Sequence, residues 1–269
     1  MDLHGKTALV TGSAMGFGRL IAEGLAARGC GVIGCDLTAA MQAETKAAVE
    51  AAGQRYTALA ADLADPAEAH GAGREAASRG IDVLVNNAGV APSGPYLSQG
   101  WAVWERALAI DLLAPMAIAH EVLSSLRGRP EAAIVNIASI AGVTASPGTA
   151  AYSAAKHGLV GFSRSLELEC EGSSVRVHTI CPTMARTRMI DGVQGSGMVP
   201  VIPPQAVADA VLSALASGRS GTVFVPRRMR WTMEVLPRLA PGLAKRMTLG
   251  DASAKSWIEA AKGLPQAKD

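Results

Sequence analysis

Short runs of aliphatic and β-branched residues alternate along the chain with longer stretches whose apolar positions recur every three or four residues. The short runs fall at residues 7–10, 31–36, 56–60, 82–86, 133–138, 175–180 and 222–225. Helical spacing is clearest at 17–28, 41–52, 66–78, 101–126, 152–171 and 204–216. Within the short runs the apolar residues do not alternate with polar ones, as expected where helices cover both faces of a parallel sheet. Strands alternating with helices through right-handed crossovers predict the α/β class. The expected architecture is a single-domain, Rossmann-like doubly wound parallel sheet of about seven strands, with helices on both faces and a ligand crevice at the strand C-terminal ends.

The pattern changes after residue 225. Arg227-Arg228-Met229-Arg230-Trp231 leads into apolar residues mixed with Arg238, Lys245 and Arg246, and Pro237 and Pro241 cut this stretch into short segments. We expect residues 1–226 to form the sheet domain, with a loop over the ligand crevice at about 188–203, and residues 227–269 to form a helical extension packed on the same domain. A basic element lying on a membrane surface is the rival reading, and the prolines weigh against it by shortening any interfacial helix. Residues 263–269 read as a frayed end.

Composition narrows the classes. Of 269 residues, 49% are hydrophobic, enough for one large core, while 29 glycines and only 4% aromatics suit close helix–sheet packing. A formal charge of +2 gives no reason to expect nucleic acid as a partner. Cys30, Cys35, Cys170 and Cys181 form no CxxC pair and no ligand cluster with histidine, so they are expected to be reduced core thiols, with no metal site. The apolar stretch 108–119 contains Asp111 and is shorter than the ~20 residues of a membrane span. The N-terminus enters a strand pattern almost at once, leaving no room for a signal peptide. The expectation is a cytoplasmic protein without stable membrane insertion.

Two segments carry chemistry. The first strand runs into Thr11-Gly12-Ser13-Ala14-Met15-Gly16-Phe17-Gly18 and then a helix, a turn whose missing Cβ atoms would let a pyrophosphate reach amides at a helix N-terminus. The second strand ends at Asp36, where a carboxylate can accept hydrogen bonds from both adenosine ribose hydroxyls and repel a 2′-phosphate. Met15 adds no cation that could hold such a phosphate, so the cofactor is expected to be NAD. Further on, Ser139 ends the fifth strand, Tyr152 follows, and Lys156 lies one helical turn beyond Tyr152 on the same face. An ammonium beside a phenol stabilises the phenolate, a hydroxyl nearby can orient a substrate oxygen, and the phenol can then exchange a proton with that oxygen.

Taken together, these segments resemble the short-chain dehydrogenase/reductase family in its compact form, over about residues 3–226. The stretch Thr11–Gly18 matches its TGxxxGxG turn, which implies that Gly12, Met15, Gly16, Phe17 and Gly18 meet the cofactor. Asp62-Leu63 matches the pair that contacts the adenine. Asn86-Asn87-Ala88-Gly89 matches NNAG, implying that Asn86, Ala88 and Gly89 support the fourth strand and the adenosine half. Ser139, Tyr152 and Lys156 match the catalytic serine and YxxxK. By that resemblance Tyr152 is the acid/base, Tyr152 and Lys156 both contact the cofactor, and Lys156 holds the nicotinamide ribose. Pro182 to Thr187 resembles PGxxxT, whose threonine contacts the carboxamide.

Two positions depart from the pattern. Thr183 stands where the family usually has glycine. Asp111 stands where it has an asparagine, its fourth catalytic residue, so the side-chain donors are gone and only the backbone carbonyl is expected to hold a relay water linked to Lys156.

Around the nicotinamide, 90–97, 140–149 and 188–202 are mainly small or apolar, with Met189, Ile190, Met198, Val199, Val201 and Ile202 in the last. Such a pocket suits a hydrophobic secondary alcohol or ketone, although these side chains could equally pack the loop on the domain. The resemblance thus implies an NAD-dependent alcohol dehydrogenase or ketone reductase with a small alcohol or carbonyl substrate, assembled as a homodimer or homotetramer. The alternatives are a family dehydrogenase acting on a sugar, sterol or aromatic diol, and a non-catalytic dinucleotide-binding sensor.

Overall fold

The seven apolar runs form seven strands of one sheet in the computed structural model, which describes residues 1–187 and 199–251. These are β1 (Thr7–Thr11), β2 (Gly31–Asp36), β3 (Tyr56–Ala60), β4 (Val83–Asn86), β5 (Ala132–Ile137), β6 (Val175–Pro182) and β7 (Gly221–Val225). Their order is 3-2-1-4-5-6-7 and every pair is parallel. The order reverses between β1 and β4, which opens a crevice at that point above the strand C-termini. Between the strands lie α1 (Gly16–Ala26), α2 (Ala43–Ala51), α3 (Pro66–Ser78), α4 (Trp101–Leu108), α5 (Ala114–Arg127), α6 (Ala150–Glu169) and α7 (Gln205–Ser217).

Successive strand residues point to opposite faces, so each strand feeds two cores. On one face Ala8, Val10, Val83, Val135 and Ile180 pack with Ile21 and Leu25 of α1 and Val211 and Leu215 of α7. On the other, Leu9, Leu84, Ile134 and Val177 pack with Ala72 and Ala76 of α3, Ile118, Val122 and Leu126 of α5, and Leu166 of α6. Burying a Leu or Ile side chain contributes about 1.5–3 kcal/mol. Both faces are therefore committed, which is why the strands lack in/out alternation.

Two departures from the expected elements bear on the site. The helix predicted over 101–126 carries a π-turn at Ala109–Leu113, which divides it into α4 and α5 without ending it and turns Asp111 inward. The continuous helical run Trp101–Arg127 spans 27 residues with a mean hydropathy of 1.5 in its most apolar window, enough by length and composition to cross a bilayer. The shorter stretch considered above understates that run. Its apolar side is nevertheless spent on the second core and its one buried carboxylate meets a lysine. The second departure is β6, which continues to Pro182 and carries the chain to the crevice.

The stretch beyond β7 folds back on the domain. Met229 and Met233 join Ile140, Leu159, Cys181 and Phe224 in a third cluster. Buried Glu234 pairs with Arg164 of α6 and lies 3.5 Å from Arg238. A π-turn (Trp231–Val235) leads into the short helix α8 (Leu236–Leu239) and then α9 (Pro241–Gly250). Met189, Ile190 and Met198 of the anticipated substrate loop lie outside the described residues, as do residues 263–269.

Candidate active site

A cavity of about 690 Å³ opens at the sheet's switch point. Its cofactor-like end is made of backbone. Gly12 adopts φ +64°, and a Cβ on Gly18 would come within 2.0 Å of the Gly12 carbonyl oxygen, so the turn closes only without side chains there. Met15 at the start of α1 offers no side-chain cap, leaving the first-turn amides to a ligand. Thr11 Oγ1 accepts hydrogen bonds from the Asn87 and Ala88 amides at 2.9 and 3.0 Å, and Asn87 Nδ2 donates to the Thr11 carbonyl at 2.8 Å. These bonds lock the ends of β1 and β4 together. Asp36 receives the Ala14 amide on Oδ2 and the Leu37 amide on Oδ1, both at 2.9 Å, which points the acid at the glycine turn.

The reaction-like end is made of charged and hydroxyl groups. Ser139 follows β5 and its Oγ accepts the Ala141 amide at 3.1 Å. Tyr152 and Lys156 stand one turn apart on α6, with Lys156 Nζ 5.8 Å from the centre of the Tyr152 ring. Lys156 is buried; Nζ donates to the Ile137 carbonyl at 3.0 Å and lies 2.9 Å from Asp111 Oδ1. The Val90 amide donates to Asp111 Oδ2 at 3.1 Å. A Cβ on Gly89 would press to 2.6 Å from Asp111 Oδ1, so the glycine leaves room for the acid. Beneath this, Asn86 Nδ2 donates to Asn136 Oδ1 and Asn136 Nδ2 to Ser163 Oγ, both at 2.8 Å, tying β4, β5 and α6 into one rigid floor.

The electrostatics follow from burial and pairing. Burial pushes the Asp111 carboxyl up, opposed by Lys156 and the Val90 amide. Burial alone would pull the Lys156 ammonium down, but Asp111 and the Tyr152 phenol outweigh it and the lysine holds its proton more tightly than usual. The Tyr152 phenol is held above its usual value. Burial is the main cause and Asp111 adds to it, while Lys156 and the Ser139 hydroxyl pull the other way.

Most of the anticipated site residues reach the cavity wall: Gly12, Met15, Gly16, Phe17, Asp36, Ala88, Gly89, Asp111, Ser139, Tyr152, Lys156, Pro182 and Thr187. Gly18, Asp62, Leu63 and Asn86 do not. Gly18 and Asn86 act from behind it, as described. Asp62 is held by both Arg106 nitrogens at 3.1 Å, and Leu63 turns into the second core. Asp111, whose backbone carbonyl was expected to hold a relay water linked to Lys156, also contacts that lysine directly through its side chain. Sequence reasoning passed over Arg19, Asn136, Ser163, Met233 and Thr248. Of these, Asn136 was detectable as a lone amide in an apolar run. Arg19 lines the cavity, but its guanidinium is committed to Glu23 and Glu44. All four cysteines are free and buried, with Cys30, Cys35 and Cys181 pushed up to about 12, mainly by burial. Among the described residues, His70, His120 and Glu121 form a cluster of metal-ligand types on α3 and α5. Arg74 already lies 3.6 Å from that carboxylate and His70 Nδ1 lies 2.7 Å from it, so the cluster is accounted for as a tie between the two helices.

Known proteins are similar to this chain in sequence and in fold. Residues 6–195 match the family model described as short chain dehydrogenase. Nodulation protein G of Rhizobium sp. (strain N33) is 33% identical over 82% of this chain and 86% of its own length. D-threitol dehydrogenase of Mycolicibacterium smegmatis is 36% identical over 75% and 80%, and D-beta-hydroxybutyrate dehydrogenase of Cupriavidus necator is 35% identical over 81% and 86%. A solved structure from Sinorhizobium meliloti 1021, described as a short-chain alcohol dehydrogenase, superposes with a TM-score of 0.71 at 30% identity, covering 82% of this chain and 95% of that one.

Proposed function

The chain belongs to the short-chain dehydrogenase/reductase family, and within it we propose an NAD-linked enzyme that interconverts a hydrophobic secondary alcohol and its ketone. One observation carries the reading: Ser139, Tyr152 and Lys156 meet on the wall of the same cavity that holds the glycine turn and Asp36. The named substrates of two relatives, a polyol and a hydroxy acid, share only a CH–OH centre. Here Met184, Ala185, Val199 and Met233 line the cavity, which supports an apolar substrate. Thr248 of α9 reaches the same cavity, which supports residues 227–251 as its cover.

The residues fit a dinucleotide, because the cradle closes only where Cβ atoms are missing. Gly12, Gly16 and the α1 amides would hold its pyrophosphate, Asp36 its adenosine ribose, Lys156 the other ribose, and Thr187 the carboxamide. When bound, the nicotinamide supplies or accepts hydride. The protein's own part is the proton. Ser139 orients the substrate oxygen, Tyr152 Oη gives it a proton in reduction or takes one in oxidation, and Lys156 biases the phenol toward ionisation. Asp36 stands where a 2′-phosphate would lie, and the cavity-wall cation of α1, Arg19, is already paired with Glu23 and Glu44, which supports NAD over NADP. Exposed Tyr96 and Leu97 just before α4, Trp101 at its start, Leu113 at the end of the π-turn and Met116 on α5 support the homodimer or homotetramer. Free buried thiols support a reducing, cytoplasmic setting.

Steady-state turnover of a panel of apolar secondary alcohols with each cofactor tests this. Tyr152→Phe should cut kcat by about 10² or more, the scale of a lost acid–base group. NAD should be favoured over NADP in kcat/KM. Near-normal turnover by Tyr152→Phe, or equal use of both cofactors, would refute the corresponding half of the reading.

A further inference from the structure

We propose that Asp111 is a positioning residue that offsets the Lys156 charge at Tyr152. The site is then poised as a proton donor, for carbonyl reduction, through neutral pH, and becomes an effective base only in alkali. This rests on the reading above, in which Tyr152 exchanges the proton with substrate. Asp111 is fully buried, and Lys156 keeps only 5% of its side-chain surface exposed. Three contacts hold the pair in place: Lys156 Nζ at 2.9 Å from Oδ1, the Val90 amide on Oδ2, and the Ile137 carbonyl on Nζ. The π-turn delivers the carboxylate and Gly89 makes space for it.

An ammonium alone would act on the phenol as a full positive charge. Paired with a carboxylate in contact it acts as a dipole, and its pull on the phenolate shrinks. An amide at position 111 would leave that charge uncompensated. The other groups facing the phenol do not reverse this. Ser139, after β5, favours the phenolate, and Cys181 on β6 opposes it only when ionised, which its value of about 12 excludes near neutrality. Burial and Asp111 together leave the phenol above its usual value.

The test is a titration of the ultraviolet tyrosinate band, with Tyr152→Phe subtracted from wild type so that Tyr56 and Tyr96 cancel. No Tyr152 tyrosinate is expected below about pH 9, since an ordinary phenol titrates near 10. In Asp111→Asn, referenced to its own Tyr152→Phe double variant, the Tyr152 titration should move down by about one pH unit or more. In turnover, the rising limb of kcat/KM for alcohol oxidation and the falling limb for carbonyl reduction should move down together by the same amount. A purely structural role would change rates without moving both limbs. A wild-type Tyr152 midpoint below about pH 9, or an unmoved titration in folded Asp111→Asn, overturns the proposal. If Asp111→Asn does not fold, the wild-type difference titration decides alone. That titration needs no substrate, so it stands even where a failed alcohol panel has refuted the proposed function.

Discussion

Between β1 and α1 the cavity is walled by amides, carbonyls and missing Cβ atoms, held by neutral hydrogen bonds that Asn87 and Ala88 donate to Thr11. Across the crevice, between β5 and α6, it is walled by a buried ion pair and a phenol. The first arrangement suits a ligand whose charge is already in place, because backbone donors need no protonation and no rotamer choice. The second suits a proton that must move, because its energy depends on a few nearby charges. The same sheet supports both, and their sensitivities should differ: the backbone end to volume at any pH, the charged end to charge and to pH.

The largest effect should come from breaking the ion pair. Asp111→Leu leaves the Lys156 ammonium buried without its counterion, and loss of one partner of such a pair costs about 3–5 kcal/mol. Denaturant unfolding would measure it, and a loss under about 1 kcal/mol would mean the site relaxes or hydrates.

His178 on β6 sharpens the comparison at the far end of the same half. It is buried and its imidazole is pushed down from 6.5 to about 4, by burial first and then by the N-terminal ammonium and Arg176. Between those values the unfolded chain binds a proton that the folded chain refuses. Stability is therefore full above about pH 6.5 and is lost as pH falls toward 4, by up to ~3 kcal/mol. His178→Gln should flatten that part of the stability–pH curve, as read from denaturant midpoints. An identical slope in the variant would assign the acid sensitivity to other groups.

A smaller effect, and one independent of pH, is expected at the backbone end. Gly18→Ala places a methyl against the Gly12 carbonyl and should cost about 1–3 kcal/mol, as overpacking does, with reduced-cofactor binding weakened equally at acid and alkaline pH. Unchanged binding would show that the turn can open, contrary to the backbone account.

The strand pattern, the glycine turn and the Ser139–Tyr152–Lys156 spacing were legible in the chain because each rests on short-range geometry. Strand residues feeding two cores give continuous apolar runs, a Cβ-free turn needs glycine locally, and residues one helical turn apart share a face. Asp62 shows where that reasoning stops. Its place after β3 matched a family position, but whether the carboxylate faces a ligand or Arg106 depends on α4, more than forty residues on. The Asn86–Asn136–Ser163 floor was likewise out of reach, since its members come from three elements. So was the fate of Arg19, settled by Glu44 on α2.

Asp111 draws the boundary most clearly. The chain alone determined that an acid stands there, that Lys156 follows Tyr152 by one turn, and that the fold brings both toward one crevice. Only the tertiary structure decided that the π-turn points the acid inward, that Gly89 leaves it room, and that it meets Lys156 at 2.9 Å out of water. The reason is physical. Identity and spacing along one helix fix directions over a few ångströms, whereas the energy of a charge depends on its distance to other charges and on the water excluded between them, and both are set by segments far apart in the chain.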